Sequence, residues 1–178
     1  MRELINFGVD ARRSWKELFI LICWFLLGTF LVKSVFTPNF VKKGVLISFG
    51  ARIGARVILR RGLKVHFPWN LDIGDDCWIG EEVWFINHEK IKIGSNVCIS
   101  QRSIICSGSH DYRSASLEYS HKPVVIKDGA WICLDVKVLP GVTIGECSVV
   151  SASEIVRKSL PDYSMIIGGQ IRKIDPPR

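Results

Sequence analysis

Apolar residues recur at every sixth position over most of this chain. Counting from Ile53, the series runs through Leu59 and Val65, slips by two residues to Ile73, Ile79 and Phe85, and slips again to Ile93, Ile99 and Ile105. After a long break it resumes at Ile126 and holds through Ile132, Val138, Ile144, Val150 and Val156. The residue two places before each is mostly small or apolar too, as at Ala51, Val57, Cys77, Val97 and Val136, with Glu154 the one charged residue in that second series. Two inward positions spaced by two are a strand signal, but a unit of six is too short for a hairpin and does not match the 3.6-residue helical period. Short strands joined by tight corners, three to a coil of about 18 residues, fit it, each coil stacking its column on the next. The pattern predicts an all-β solenoid, a parallel β-helix of about five coils beginning near Ile53, Ile73, Ile93, Ile126 and Ile144. Every irregularity falls at one corner, between the third strand of a coil and the first of the next. The largest is a loop over residues 106–123, which therefore leaves the prism from an edge.

A different pattern precedes the repeat. Leu18 to Val32 reads LFILICWFLLGTFLV, apolar on all sides, whereas an amphipathic surface helix carries a single apolar stripe. Fifteen helical residues rise about 22 Å, short of a bilayer core of about 30 Å; Trp15 to Phe36 would reach across if Lys16, Glu17 and Lys33 snorkel at the ends. Pro38 ends the helix. A signal peptide is one reading, with Arg12, Arg13 and Lys16 as its charged end, but no small-x-small cleavage site follows Val32. Burial against the protein or its oligomer mates is another. Membrane association is the preferred one. Lys33, Lys42, Lys43, Arg52, Arg56, Arg60, Arg61 and Lys64 follow the segment with no acid among them, while Glu3, Asp10 and Glu17 offset the cations before it. That bias sets the main domain in the cytoplasm, at the inner face of the cytoplasmic membrane.

The 178 residues suit one domain with an appendage, and 48% hydrophobic content excludes a disordered chain. A formal charge of +7 suits nucleic acid, anionic lipid or a phosphorylated ligand, or else a solvated basic surface. No aromatic-basic motif accompanies it, so nucleic acid is not an expected partner. The six cysteines form no C-x-x-C pair, which argues against a zinc ribbon or a thioredoxin-type site. Most recur within the repeat, where a small apolar side chain is wanted, and read as reduced and structural.

The break in the count carries Cys106-Ser107-Gly108-Ser109-His110-Asp111-Tyr112. A His-Asp pair on a loop held by a rigid scaffold is a place to look for chemistry. The Ile-Gly units resemble the hexapeptide repeat of left-handed β-helix proteins. Asp72-Ile73-Gly74-Asp75, Ile99-Ser100-Gln101, the Gly108–Tyr112 run, Lys122–Ile132 and Leu139-Pro140-Gly141-Val142-Thr143-Ile144-Gly145 together resemble the colanic-acid-type exopolysaccharide O-acetyltransferases. Nodulation and galactoside acetyltransferases are more distant. The likeness covers about Phe67 to Ile174, and the left hand of the coil is implied by it alone.

The resemblance implies an acetyl-CoA-dependent transfer to a sugar hydroxyl by a homotrimer, with no metal. Such a reaction needs a base for the hydroxyl proton, stabilisation of the oxyanion and a thioester held in line. A histidine, with an ordinary pKa of about 6.5, suits the first. His110 matches the catalytic base of the family. Asp111 is either a partner that orients the ring or contacts the acceptor, or a cap of the turn. The resemblance places the cofactor along the C-terminal coils, between subunits, near Cys133, Ala152, Arg157, Lys158 and Arg172. Two departures bear on it: Cys133-Leu134 is bulkier than the usual small residues, and Gly168-Gly169-Gln170-Ile171 replaces a Gly-Asn-Pro-Ala type of run. Asn87 falls where relatives place a polar group toward the acceptor.

Competing readings are weaker. His66, His88 and His110 could line one edge and hold zinc, as in γ-carbonic-anhydrase-type β-helices, but the acyltransferase motif is better matched and no close His pair is present. A Cys106–His110 nucleophile is unnecessary for direct transfer. An N-acetyltransferase of an amino sugar and a non-catalytic scaffold are the functional rivals. The expected organisation is an N-terminal segment over 1–44 with a hydrophobic helix at about 15–36, a β-helix domain over 45–160 and a C-terminal tail over 161–178.

Overall fold

The computed structural model describes residues 14–175. The sixes become strands of two or three residues. β1 (Arg52–Ile53), β2 (Ile58–Leu59) and β3 (Lys64–Val65) make the first coil, and β4 (Leu71–Ile73), β5 (Trp78–Ile79) and β6 (Trp84–Ile86) the second. β7 (Ile91–Ile93), β8 (Cys98–Ile99) and β9 (Ile104–Cys106) make the third. β10 (Val124–Ile126), β11 (Trp131–Ile132) and β12 (Lys137–Val138) follow, then β13 (Thr143–Ile144), β14 (Val149–Val150) and β15 (Ile155–Val156). First strands stack into one parallel sheet, second strands into another and third strands into the last, giving a three-faced prism.

Register is set by the apolar columns. Ile53, Ile73, Ile93, Ile126 and Ile144 pair in succession down the first sheet. A slip of one residue would turn the column outward, so the repeat of branched apolar residues fixes the pairing. Ile79, Phe85, Ile99, Ile105, Ile132, Val138 and Val150 are fully buried on the axis. Ser103 and Ser148, polar residues at inward positions, are buried and satisfied: Ser103 Oγ donates to the Cys133 carbonyl at 2.8 Å and Ser148 Oγ to the Pro161 carbonyl at 2.7 Å. Corners are tied to each other by side chains. The Ala55 N–H donates to Asp75 Oδ1 at 2.7 Å, Asp75 N–H to Ser95 Oγ at 3.1 Å, and Ser95 N–H to Asp128 Oδ1 at 2.8 Å.

Both ends of the prism present open strand edges, which need cover. At the base, α3 (Asn39–Ser48) lies under β1 and β2 with Leu46 fully buried. Asn39 substitutes for a missing strand: its Oδ1 accepts the Leu59 N–H at 2.8 Å and its Nδ2 donates to the Val57 carbonyl at 2.9 Å. Lys42 and Lys43 donate to the Arg60 and Gly54 carbonyls. At the other end the chain continues past the five coils. Leu160 bridges Ile144, β16 (Ser164–Ile167) pairs with β14, and β17 (Gln170–Lys173) folds back antiparallel on β16. The segment expected as a tail over 161–178 thus begins as a partial sixth coil and its lid. It escaped the count because the spacing from Val156 to Ile166 is not a multiple of six. Glu154, the charged residue at an inward position, sits at this end and accepts the Gly169 N–H at 3.2 Å.

The N-terminal apolar run is helical over Trp15–Lys33: α1 (Trp15–Cys23), a π turn at Trp24–Gly28 and α2 (Thr29–Lys33). Ser14 and Glu17 close a capping box at its start. Trp24 and Val32 join the core of the prism, Leu21 is buried as well, and only 22% of the apolar window is buried.

Candidate active site

The break in the repeat is a hairpin. Its arms run antiparallel from the root, where the Lys122 N–H donates to the Ser107 carbonyl at 2.9 Å, past Ser120 N–H to the Ser109 carbonyl and a bridge between His110 and Tyr119, to Asp111 N–H on the Glu118 carbonyl, the last two bonds at 2.8 Å. The root is fixed to the previous coil: the fully buried Ser107 donates from Oγ to the Glu89 carbonyl at 2.7 Å and accepts the Glu89 N–H at 2.9 Å. Gly108 is required by a close approach, since a Cβ there would lie 2.6 Å from His88 Cδ2.

His110 stands on the first arm. Its Nδ1 lies 2.7 Å from the Leu117 carbonyl. A carbonyl only accepts, so this nitrogen carries the hydrogen, and the lone pair of the neutral ring belongs to Nε2. A backbone carbonyl therefore does the orienting. Asp111 does something else. Its Oδ1 accepts the Arg113 N–H at 2.9 Å and pairs with Arg113 Nε at 3.1 Å, which braces the tip of the hairpin. Those bonds to Arg113 hold the Asp111 carboxyl below the ordinary carboxylate range. These bonds are those of a turn cap.

A cavity of about 200 Å³ opens beside His110, lined by Ile86, His88, Gly108, Ser109, His110, Tyr119 and His121. Every histidine of the chain lies along this edge. His66 meets His88 edge-on at 5.3 Å between centroids, and His88 stacks on His121 at 4.9 Å. Tyr119 lies 5.0 Å from His121 and 5.0 Å from His110. The Ser109 N–H donates to His121 Nδ1 at 3.2 Å. Burial, with a smaller contribution from the charge His110 can carry, pushes His121 below the ordinary imidazole pKa, against a weak opposite pull from Glu89. Burial alone lowers His66. Among the described residues no group of three His, Cys, Asp or Glu is placed to hold a metal ion. Burial raises the Cys106 thiol, whose S–H donates to the Gly108 carbonyl at 3.1 Å, so it is held as a thiol rather than as a nucleophilic thiolate.

The other expected site residues scatter over the prism. Asn87 is fully buried, and its side chain is committed to backbone: Oδ1 accepts the His66 and Phe67 N–H groups at 3.2 and 3.0 Å, and Nδ2 donates to the Phe67 carbonyl at 2.5 Å. In this chain it serves as a corner clamp, with its side chain turned to the backbone. Arg157 and Lys158, both exposed, follow β15 and share the His110 edge two coils further on. Cys133, half-buried, and Ala152, exposed, follow β11 and β14 and lie on a different edge. Arg172 is on β17, in the second-strand sheet, with its guanidinium 3.3 Å from Gln170 Oε1. One chain by itself does not bring these groups to His110. Tyr119, in contrast, was not singled out from the sequence, although its spacing of two from His121 would place both on one face of a strand.

A search of protein-family models finds no match. The WcaF protein of Escherichia coli K12, provisionally named a colanic acid biosynthesis acetyltransferase, is 36% identical over 162 residues, covering 90% of this chain and 89% of that one. The chain belongs to the WcaF-type acetyltransferase family. A hexapeptide-repeat acetyltransferase of Vibrio cholerae O1 biovar eltor, solved in complex with acetyl coenzyme A, superposes with a TM-score of 0.80 at 26% identity over 95% of this chain and 92% of that one. A maltose O-acetyltransferase of Clostridium difficile 630 shares the fold at a TM-score of 0.76 and 22% identity, over 92% of this chain and 90% of that one. The WcaF-type chain is accordingly a left-handed parallel β-helix, and in it the hairpin carrying His110 is the one long departure from the coil.

Proposed function

We propose that the chain transfers an acetyl group from acetyl-CoA to a hydroxyl of a saccharide or lipid-linked glycan precursor, with His110 as general base. The observation that carries this is the bond from His110 Nδ1 to the Leu117 carbonyl at 2.7 Å, on a hairpin that forms the wall of a cavity. It assigns the basic lone pair to Nε2. As an acceptor hydroxyl attacks the thioester carbonyl, Nε2 takes its proton and the new C–O bond forms. The tetrahedral intermediate then breaks its C–S bond, and the imidazolium returns the proton to the departing thiolate. A positioned base of this kind contributes about 10²–10⁴-fold. The acetyl-CoA complex of the Vibrio cholerae relative supports the choice of donor.

The working unit in this reading is a homotrimer. Cys133 and Ala152 lie on one edge, while His110, Arg157 and Lys158 lie on another, so the edge of a neighbouring copy would complete the site. Arg157, Lys158 and Arg172 then have a purpose as partners of the cofactor phosphates. The enzyme works in the cytoplasm at the inner face of the cytoplasmic membrane, where a lipid-carried acceptor would be presented.

The test of the bond made is chemical. A glycan precursor fraction incubated with the protein and acetyl-CoA should gain acetyl groups that mild alkali removes, as esters are removed. Acetyl groups that survive alkali would be amides and would replace this reading with N-acetyl transfer to an amino sugar.

A further inference from the structure

The helix over Trp15–Lys33 is fastened to the first coil at two points. The indole N–H of the buried Trp24 donates to the Val65 carbonyl at 3.3 Å, and its ring rests on Phe49 at 5.2 Å between centroids. Gly28 leaves room for that ring, which any Cβ would strike. Nine residues on, the Gly62 N–H donates to the Lys33 carbonyl at 3.0 Å. From Trp24 to Lys33 a helix rises about 13.5 Å. From Val65 back to Gly62 an extended chain covers about 10 Å. The two fastenings match end to end, so the helix runs alongside β3 in the opposite direction. Strands of a solenoid run across its axis. The helix therefore lies across the axis too, beneath the base, next to α3.

Its outward surface is apolar over most of its circumference. At about 100° per residue, Leu21, Trp24, Gly28 and Val32 occupy one narrow arc, and apolar residues fill roughly two-thirds of the circle beyond it. Phe19 is 67%, Leu26 70% and Phe30 72% exposed. A neighbouring protein surface covers a further stripe of such a helix; an arc this wide calls for an apolar medium that surrounds it. The charge at the same end has one sign. No Asp or Glu occurs from Leu18 to Leu71, while Lys33, Arg52, Arg56, Arg60, Arg61 and Lys64 cluster on the first coil and its approach. The four arginines pair with acids of the second coil, Arg52 with Asp72, Arg56 with Asp76, and Arg60 and Arg61 with Glu81, and Lys64 lies over the Trp84 ring. That leaves Lys33 as the cation at the end of the helix. The arginines of these pairs are on the exposed surface, where headgroups can compete for them. Cations beside an apolar helix suit anionic headgroups beside acyl chains.

We propose that this helix is an in-plane membrane foot: it lies in the headgroup–acyl boundary of an anionic phospholipid leaflet without crossing it, and stands the β-helix upright on the membrane. The proposal rests on the membrane location put forward above and adds the manner of attachment. A spanning helix would have to give up both the Trp24–Val65 and Gly62–Lys33 bonds and turn by about a right angle. The in-plane helix keeps them.

Two measurements on the full chain test this. Purified protein mixed with phosphatidylcholine–phosphatidylglycerol vesicles should float with them, and added salt or pure phosphatidylcholine should weaken the association. The double variant Leu26→Glu, Phe30→Glu, at positions that do not touch the solenoid, should cut the floated fraction by at least about tenfold with an unchanged melting temperature. In intact spheroplasts of a bacterial host, an epitope placed ahead of Met1 should resist external protease and become sensitive only on lysis. Failure to float would overturn the foot and the membrane location together. Flotation with an epitope cut in intact spheroplasts would mean a spanning helix, and would overturn the foot while leaving the location standing.

Discussion

His110 and Asp111 are adjacent in sequence, yet the structure gives them different work. The Leu117 carbonyl orients the His110 ring, and Arg113 engages Asp111. Asp111→Asn should therefore cost less than about tenfold in kcat, because it loosens the hairpin tip without removing the base, and Arg113→Ala should have a similar effect. Equal, hundredfold losses at Asp111 and His110 would mean that the carboxylate acts on the ring. Asn87 is the converse case, a polar residue expected to contact the acceptor whose side chain is buried and bonded to backbone in this chain. Asn87→Ala leaves the Phe67 N–H without its acceptor and takes one of two partners from the His66 N–H and the Phe67 carbonyl, at a cost of about 1–3 kcal/mol. The melting temperature should drop while the KM for acceptor holds. A changed KM with an unchanged melting temperature would reinstate the acceptor contact.

The hairpin and the histidine row are the elements the site depends on. Gly108→Ala would drive a Cβ against the His88 ring, tilting the arm that carries His110. We expect a loss of about tenfold or more in kcat/KM, partly restored by adding His88→Ala; no rescue by the second change would show that the ring is not what the new methyl meets. Burial lowers the pKa of His66 and His121 in the folded chain. The unfolded chain then binds more protons near the ordinary imidazole pKa of about 6.5, so this contribution to stability is complete above that value and is lost as pH falls through it. The melting temperature should fall from about pH 8 to about pH 5.5, and His66→Gln should flatten the fall; an equal slope in the variant would remove His66 from the account. These elements also divide what could be read in advance from what could not. The prism was legible because two side chains in every six must point inward, and the edge from which the hairpin leaves was legible because the count breaks there. The pairing of the hairpin arms was not, because it depends on bonds between residues such as Ser109 and Ser120 with no apolar column to fix the register. The clamp made by Asn87 was not legible for a related reason: a polar residue at a corner looks the same whether it faces solvent or clamps the turn beneath it.

At the scale of the whole molecule, the residues expected to face the cofactor are divided between edges of the left-handed β-helix. That division predicts an assembly of three 20.1 kDa chains in sedimentation equilibrium, and a stable, active monomer would contradict it. In the proposed trimer it also accounts for why the fold was legible as far as the prism and not as far as the complete site: the repeat specifies one chain, and the second wall would belong to another copy. The measurement that reaches the central claim most directly is release of free thiol from acetyl-CoA in the presence of saccharide acceptors, by wild-type protein and by His110→Ala at matched concentration. The account predicts a loss of at least about a hundredfold in the variant with an unchanged melting temperature. Equal rates would contradict it and leave His110 as an ornament of the hairpin.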